Sequence, residues 1–147
     1  MIIEKESVIQ FARHWEATPF RWGGRDRSGL DCVGLALVFY SQMGLLKFWP
    51  DPLRGIEAEC YYKCPKYRDP LLGILARHFS KAPKFETGDL LIFKGERCEH
   101  CGICIDSNCF VHVSAPTEIR TGQVRIEHFN RHWTRNLVNV FRPVVET

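Results

Sequence analysis

Apolar positions fall at helical spacing in the N-terminal part of the chain and at every second position in the C-terminal half. Over about 6–17, Val8, Phe11, Ala12 and Trp15 share one helical face, and Thr18-Pro19 stops the run. Over about 31–43, Cys32, Leu35, Ala36, Phe39, Tyr40 and Met43 form a second stripe. Ser28 and Asp31 are its expected cap and first-turn acid, and Gly44 its expected stop. Residues 45–68, with Pro50, Pro52 and Pro65, read as irregular, and Leu71, Leu72, Leu75, Ala76 and Phe79 predict a third helix over about 69–79. Beyond Pro83 and the turn Thr87-Gly88-Asp89, alternation predicts strands over 90–93, 101–105, 110–113, 124–126 and 137–141. Helices first and strands afterwards imply an α+β domain, with N-terminal helices packed on a C-terminal antiparallel sheet.

Length and composition narrow this picture. The 147 residues suffice for one core, so a single domain over 1–147 is expected. No apolar run reaches the length of a membrane span. A net charge of +3 is compatible with an acidic polymer but too mild to imply a nucleic-acid partner. Met1-Ile2-Ile3-Glu4-Lys5 leads into the first amphipathic stretch with neither a cationic start nor a small-residue cleavage site, so synthesis in the cytoplasm is expected. The seven cysteines are an odd number, and in a reducing compartment free thiols are the default.

One of those thiols carries the candidate chemistry. Cys32 falls in the first turn of the second helix, where unpaired N–H groups and the helix dipole favour a thiolate. His100 and His112 lie on adjacent predicted strands. A three-residue turn at 106–108 makes residue 105 oppose 109, so Gly102 faces His112 and His100 faces Ser114. Both rings then point to one side, diagonal to each other, and Gly102 leaves room between them; a two-residue turn would send them to opposite faces. This layout suits a cysteine nucleophile (Cys32), a proton-exchanging base (His100) and a ring that orients the base (His112), meeting in a cleft between helices and sheet. The backbone N–H of Cys32 is the expected oxyanion donor.

Each of these residues also has a plainer reading. A cysteine on a helix stripe packs a core, His100 is a surface residue near a turn, and His112 is a satisfied core histidine. Asp31 fits a helix-start acid as well as a ligand contact. Arg21, Arg25 and Arg27 read as a solvated loop. Trp49, Tyr61, Tyr62 and Tyr67 fit either a groove or a core cover. Cys98, Cys101 and Cys104, with Cys60 and Cys64, resemble part of a metal-ligand run, but Cys101 and Cys104 have opposite parity on a strand, which suits one metal poorly. No metal or organic cofactor is expected.

The motifs resemble the NlpC family of cell-wall cysteine peptidases, which has a papain-like fold. Pro19-Phe20-Arg21-Trp22-Gly23-Gly24 is similar to the family's loop before the nucleophile, and Asp31-Cys32-Val33-Gly34-Leu35 to its nucleophile motif. Thr87-Gly88-Asp89-Leu90-Leu91-Ile92-Phe93 resembles the first core strand. His100-Cys101-Gly102-Ile103-Cys104-Ile105 and Phe110-Val111-His112-Val113 resemble the two histidine strands. Trp133 and Val140-Phe141-Arg142-Pro143 resemble the phage and gene-transfer-agent tail branch.

The resemblance implies a peptidoglycan stem peptide as substrate, cut between the γ-carboxyl of D-glutamate and a diamino acid. Asp31 and Trp22 are then the expected substrate-binding residues, and other phage tail proteins the expected partners, with action at the cell wall. Phe20 stands where many members have tyrosine and Val33 where many have serine, which removes two hydroxyl contacts. A thiol acyltransferase on the same scaffold, a non-catalytic tail protein and a zinc-binding module stay open at this point.

Overall fold

The computed structural model describes residues 2–45, 79–95 and 99–143. Helix α1 (Lys5–Trp15) buries Val8, Phe11, Ala12 and Trp15, the face expected from their spacing. A two-stranded hairpin follows, β1 (Arg25–Asp26) with β2 (Gly29–Leu30), inside the stretch read as loop. Helix α2 (Cys32–Gln42) comes next, capped by Asp31. Ser28, the expected cap, instead donates to Asp26 Oδ1 at 2.6 Å and accepts from Arg21.

Gly44, with φ of +75°, ends α2 as expected. Its N–H reaches the Ser41 carbonyl while Leu45 N–H reaches Tyr40, a paired closure that satisfies carbonyls the helix leaves open. Burial of α2 exceeds a stripe, because Val33, Gly34 and Leu37 are covered along with Leu35, Ala36, Phe39 and Tyr40. Tyr40 keeps its hydroxyl paired by donating to the Gly88 carbonyl at 2.9 Å.

Strands β3 (Phe79–Lys81), β4 (Leu90–Phe93), β5 (His100–Cys104), β6 (Cys109–His112), β7 (Arg125–His128) and β8 (Leu137–Pro143) form one sheet in the order β3-β8-β4-β5-β6-β7. Every neighbouring pair is antiparallel. A short helix α3 (Arg131–Asn136) precedes β8, its N-terminus capped by Asn130. Phe79 opens β3 rather than ending a helix; the remainder of that expected helix, the stretch 46–68, Trp49, Tyr61, Tyr62, Tyr67, Cys60, Cys64 and Cys98 lie outside the described residues.

Alternation along the strands divides the interior in two. Leu90, Ile92, Cys101, Ile103 and Val111 pack with α1 and α2. Leu91, Phe93, Cys104, Phe110 and Val140 pack on the other face with Phe85, Phe129 and Trp133. Full burial of each large apolar side chain contributes about 1.5–3 kcal/mol, so both faces hold the sheet. Cys101 and Cys104 fall on opposite faces, as their parity requires. No helix among the described residues is long and apolar enough to cross a membrane.

Candidate active site

The turn that carries Cys32 is organised by one buried carboxylate. Asp31 Oδ1 accepts from Gly34 N–H and from Arg25 Nη1, both at 2.7 Å, and Oδ2 accepts from Gly23 N–H at 2.8 Å. Arg25 Nη1 also donates to the Gly24 carbonyl at 2.8 Å. Burial pushes the Asp31 carboxyl up, against the pull of Arg25 and the two backbone donors. With 0% exposure and both oxygens engaged, Asp31 shapes the turn and presents no oxygen for the substrate contact expected of it. Arg25, read from sequence as part of a solvated cluster, is instead a buried partner, its side chain 6% exposed.

Two glycines let the loop lie on the helix. A Cβ on Gly34 would stand 2.3 Å from the Gly24 carbonyl oxygen, and one on Gly24 would stand 2.2 Å from the Gly29 carbonyl oxygen. The backbone thus closes over the first turn of α2 at a spacing only glycine permits. Cys32 sits there at 7% exposure, while Trp22 is half-buried and packs edge-on against Phe20 with centroids 4.7 Å apart.

The histidine side follows the expected register. Ile103 opposes Val111 and Cys104 opposes Phe110, so the turn at 106–108 has the odd length that puts both rings on one face. His100 Nε2 and His112 Nδ1 lie 2.8 Å apart. Gly102 separates their backbones, and a Cβ there would approach His112 Cβ at 3.3 Å and the Phe110 ring at 3.0 Å.

Phe93, Phe110 and Trp133 surround the pair, with Trp133 edge-on to His112 at 5.0 Å, so the rings occupy the aromatic face. The start of β5 nonetheless adjoins the start of α2, because Cys101, next to His100, donates its thiol to the Cys32 carbonyl at 3.2 Å. The turn that carries Cys32 therefore adjoins the start of β5, which carries His100.

Two further residues join the histidines. His112 Nε2 lies 3.2 Å from Glu127 Oε1. Arg120 Nη1 donates to that same oxygen at 2.8 Å, and its Nη2 lies 3.5 Å from Oε2. Burial pushes the His112 imidazolium down to about 4, opposed by Glu127. The hydrogen bond from His112, reinforced by Arg120, holds Glu127 down at about 2. Sequence reasoning passed over both. The strand expected over 124–126 ended one residue short of Glu127, and the twelve residues between His112 and Arg125 leave the β6–β7 register undetermined.

Among the described residues, no cluster of three or more His, Cys, Asp or Glu is arranged to hold a metal ion. Cys101 is committed to the α2 side and Cys104 donates to the Asp106 carbonyl at 3.3 Å.

Comparison with known proteins places this arrangement. The NlpC/P60 family matches over residues 17–142. Dipeptidyl-peptidase 6 of Lysinibacillus sphaericus is 31% identical over 110 residues, 75% of this chain; the chain spans about a third of that protein's length, the match covering 32% of it. Two solved domains share the fold. The P60 domain of antigen MAP1204 from M. avium subspecies paratuberculosis aligns with a TM-score of 0.61 and 15% identity, covering 97% of this chain and 96% of that one. The P60 domain of antigen MAP1272c from M. avium paratuberculosis aligns with a TM-score of 0.59 and 17% identity, covering 96% and 93%. With the family match extending across both the Cys32 turn and the strands of His100 and His112, the chain belongs to the NlpC/P60 family of cysteine peptidases.

Proposed function

We propose that the chain acts as a cysteine endopeptidase or amidase on peptidoglycan stem peptides, cutting the bond from the γ-carboxyl of D-glutamate to a diamino acid. The observation that carries this reading is the 2.8 Å contact between His100 and His112 at the end of the sheet adjoining the Cys32 turn. The substrate class follows from the family resemblance.

The chemistry proceeds in two halves. The Cys32 thiolate, favoured by the helix start, attacks the scissile carbonyl carbon. Oxygen takes the negative charge and meets the N–H of Cys32, at a helix position that has no acceptor of its own within the helix. The C–N bond then breaks as His100 gives its proton to the leaving amine, leaving a thioester on Cys32. Water attacks the thioester, His100 takes the water's proton, and the thiolate departs with the acid product released. His112 holds the His100 ring through both halves. Trp22, half-buried beside the loop, forms a wall for the stem peptide. No cofactor takes part in these steps. The softer match near the C-terminus supports delivery to the wall by a phage tail or similar particle, with other tail proteins as partners.

The test is incubation with purified muropeptides, read by mass. Release of the two fragments by the wild type and not by Cys32→Ala supports hydrolysis. Transfer of the acyl group to an added amine in place of water replaces this reading with acyl transfer, and binding without cleavage overturns catalysis.

A further inference from the structure

His112 orients His100, and its own ring needs a partner that fixes which nitrogen carries the proton. We propose that Glu127, braced by Arg120, is the positioning residue that sets the tautomer of both histidines; this rests on the function proposed above. A carboxylate only accepts hydrogen bonds, so His112 Nε2, 3.2 Å from Glu127 Oε1, must donate. His112 Nδ1 is then the acceptor in the 2.8 Å contact, and His100 Nε2 the donor. His100 Nδ1 is left without a proton and available to take one from Cys32. One carboxylate thus decides the proton inventory of a site two rings away.

The surroundings disfavour the other assignment, in which His112 is an imidazolium and His100 accepts from it. His112 is 1% exposed, and its imidazolium is held well below the ordinary histidine range. The groups facing it are the His100 ring from β5, Glu127 from β7 and the uncharged Trp133 from α3. Arg125, opposite His112 in the β6–β7 register, directs its guanidinium to the Thr121 carbonyl. Arg120 adds a positive charge behind Glu127, which further opposes a second cation at His112.

The competing interpretation is a surface ion pair with no bearing on the site. Arg120 is 42% exposed, and such pairs contribute little to stability. Stability therefore does not separate the two readings, but the protonation pattern does. Protein labelled with ¹⁵N-histidine is expected to show His112 with a protonated Nε2 and a bare Nδ1 at neutral pH. In Glu127→Ala the two nitrogens should average towards a tautomer mixture. Alkylation of Cys32 by iodoacetamide should slow roughly tenfold, a fraction of the roughly 10²–10⁴ that a positioned acid–base group supplies. Its pH profile should move, whereas a merely structural loss would lower the rate without moving the profile.

Glu127→Asp, which keeps an acceptor-only group, should recover part of the rate, and Glu127→Gln, equal in volume, serves should the alanine variant fail to fold. A wild-type His112 protonated at Nδ1 overturns the proposal, as do unchanged nitrogen signals and alkylation in Glu127→Ala or Glu127→Gln. Neither readout uses substrate. A wild type that leaves muropeptides intact yet shows the Nε2–H pattern supports the positioning role and overturns only the substrate assignment.

Discussion

Arg25 meets Asp31 at 2.7 Å with the two side chains 6% and 0% exposed, whereas Arg120 meets Glu127 at 2.8 Å with exposures of 42% and 16%. The same pair of chemical groups, at nearly the same distance, is built for different ends. Asp31 spends both oxygens on the backbone and arginine around the Cys32 turn. Glu127 keeps one oxygen on a histidine that faces another histidine. The buried pair holds a shape, and losing one member strands a charge that water cannot reach. The partly exposed pair holds little of the fold and bears on where protons reside. Burial, more than distance, decides which task an ion pair performs.

Perturbing each side in turn should separate these tasks. The largest expected effect is on the histidine side. His100→Ala should reduce muropeptide turnover by roughly 10²–10⁴-fold while the thermal unfolding midpoint stays close to wild type; an equal drop in stability would erase the distinction. On the other side, Arg25→Ala should cost about 3–5 kcal/mol in urea unfolding, because Asp31 is left charged and enclosed. Arg120→Ala should cost under about 1 kcal/mol in the same measurement.

Acid titration gives the two sides opposite signs. His112 binds a proton only near 4 when folded, but at its ordinary 6.5 when unfolded. The unfolded chain therefore binds more protons between those values, and stability falls as pH drops through that window, by roughly 3 kcal/mol. Glu127, held near 2, continues the loss as pH falls from its ordinary 4.5. Asp31 is shifted up, so the folded chain binds the extra proton there, and its contribution is lost as pH rises through the folded value. Urea unfolding across pH 4 to 7 should show the histidine slope, and His112→Asn should flatten it while retaining measurable turnover. Gly34→Ala should cost about 1–3 kcal/mol, since the added methyl must push the Gly24 carbonyl off the helix. Its turnover should fall with its stability, in contrast to His100→Ala.

What the sequence could reveal tracks the same division. The core faces of α1 and α2 were legible because apolar spacing is a local property, and the β5–β6 register was legible because three residues of turn leave little choice. Asp31 was legible as a residue at the helix start, but its burial was not, because Arg25 reaches it only after β1 and β2 fold back. Strands of two residues are too short for any periodicity to register. Helix α3 has six residues and buries none of them, so it lacks an apolar stripe; Asn130 ahead of Trp133 was the available signal. The aromatic face went unseen because Phe85, Phe93, Phe110, Phe129 and Trp133 are spread along the chain and converge only in the folded sheet.

Helix α2 is enclosed on nearly every side, and Cys32 is its first residue. A thiol mounted this way has no hinge of its own. Its amides from Leu35 to Phe39 can meet solvent only when the whole domain opens. Heat should accordingly extinguish the reactivity of the thiol in the same step that melts the protein, with no disarmed but folded species in between. Any tuning of the enzyme by natural variation then falls to the rim of the site, because the sulfur's own seat is part of the foundation.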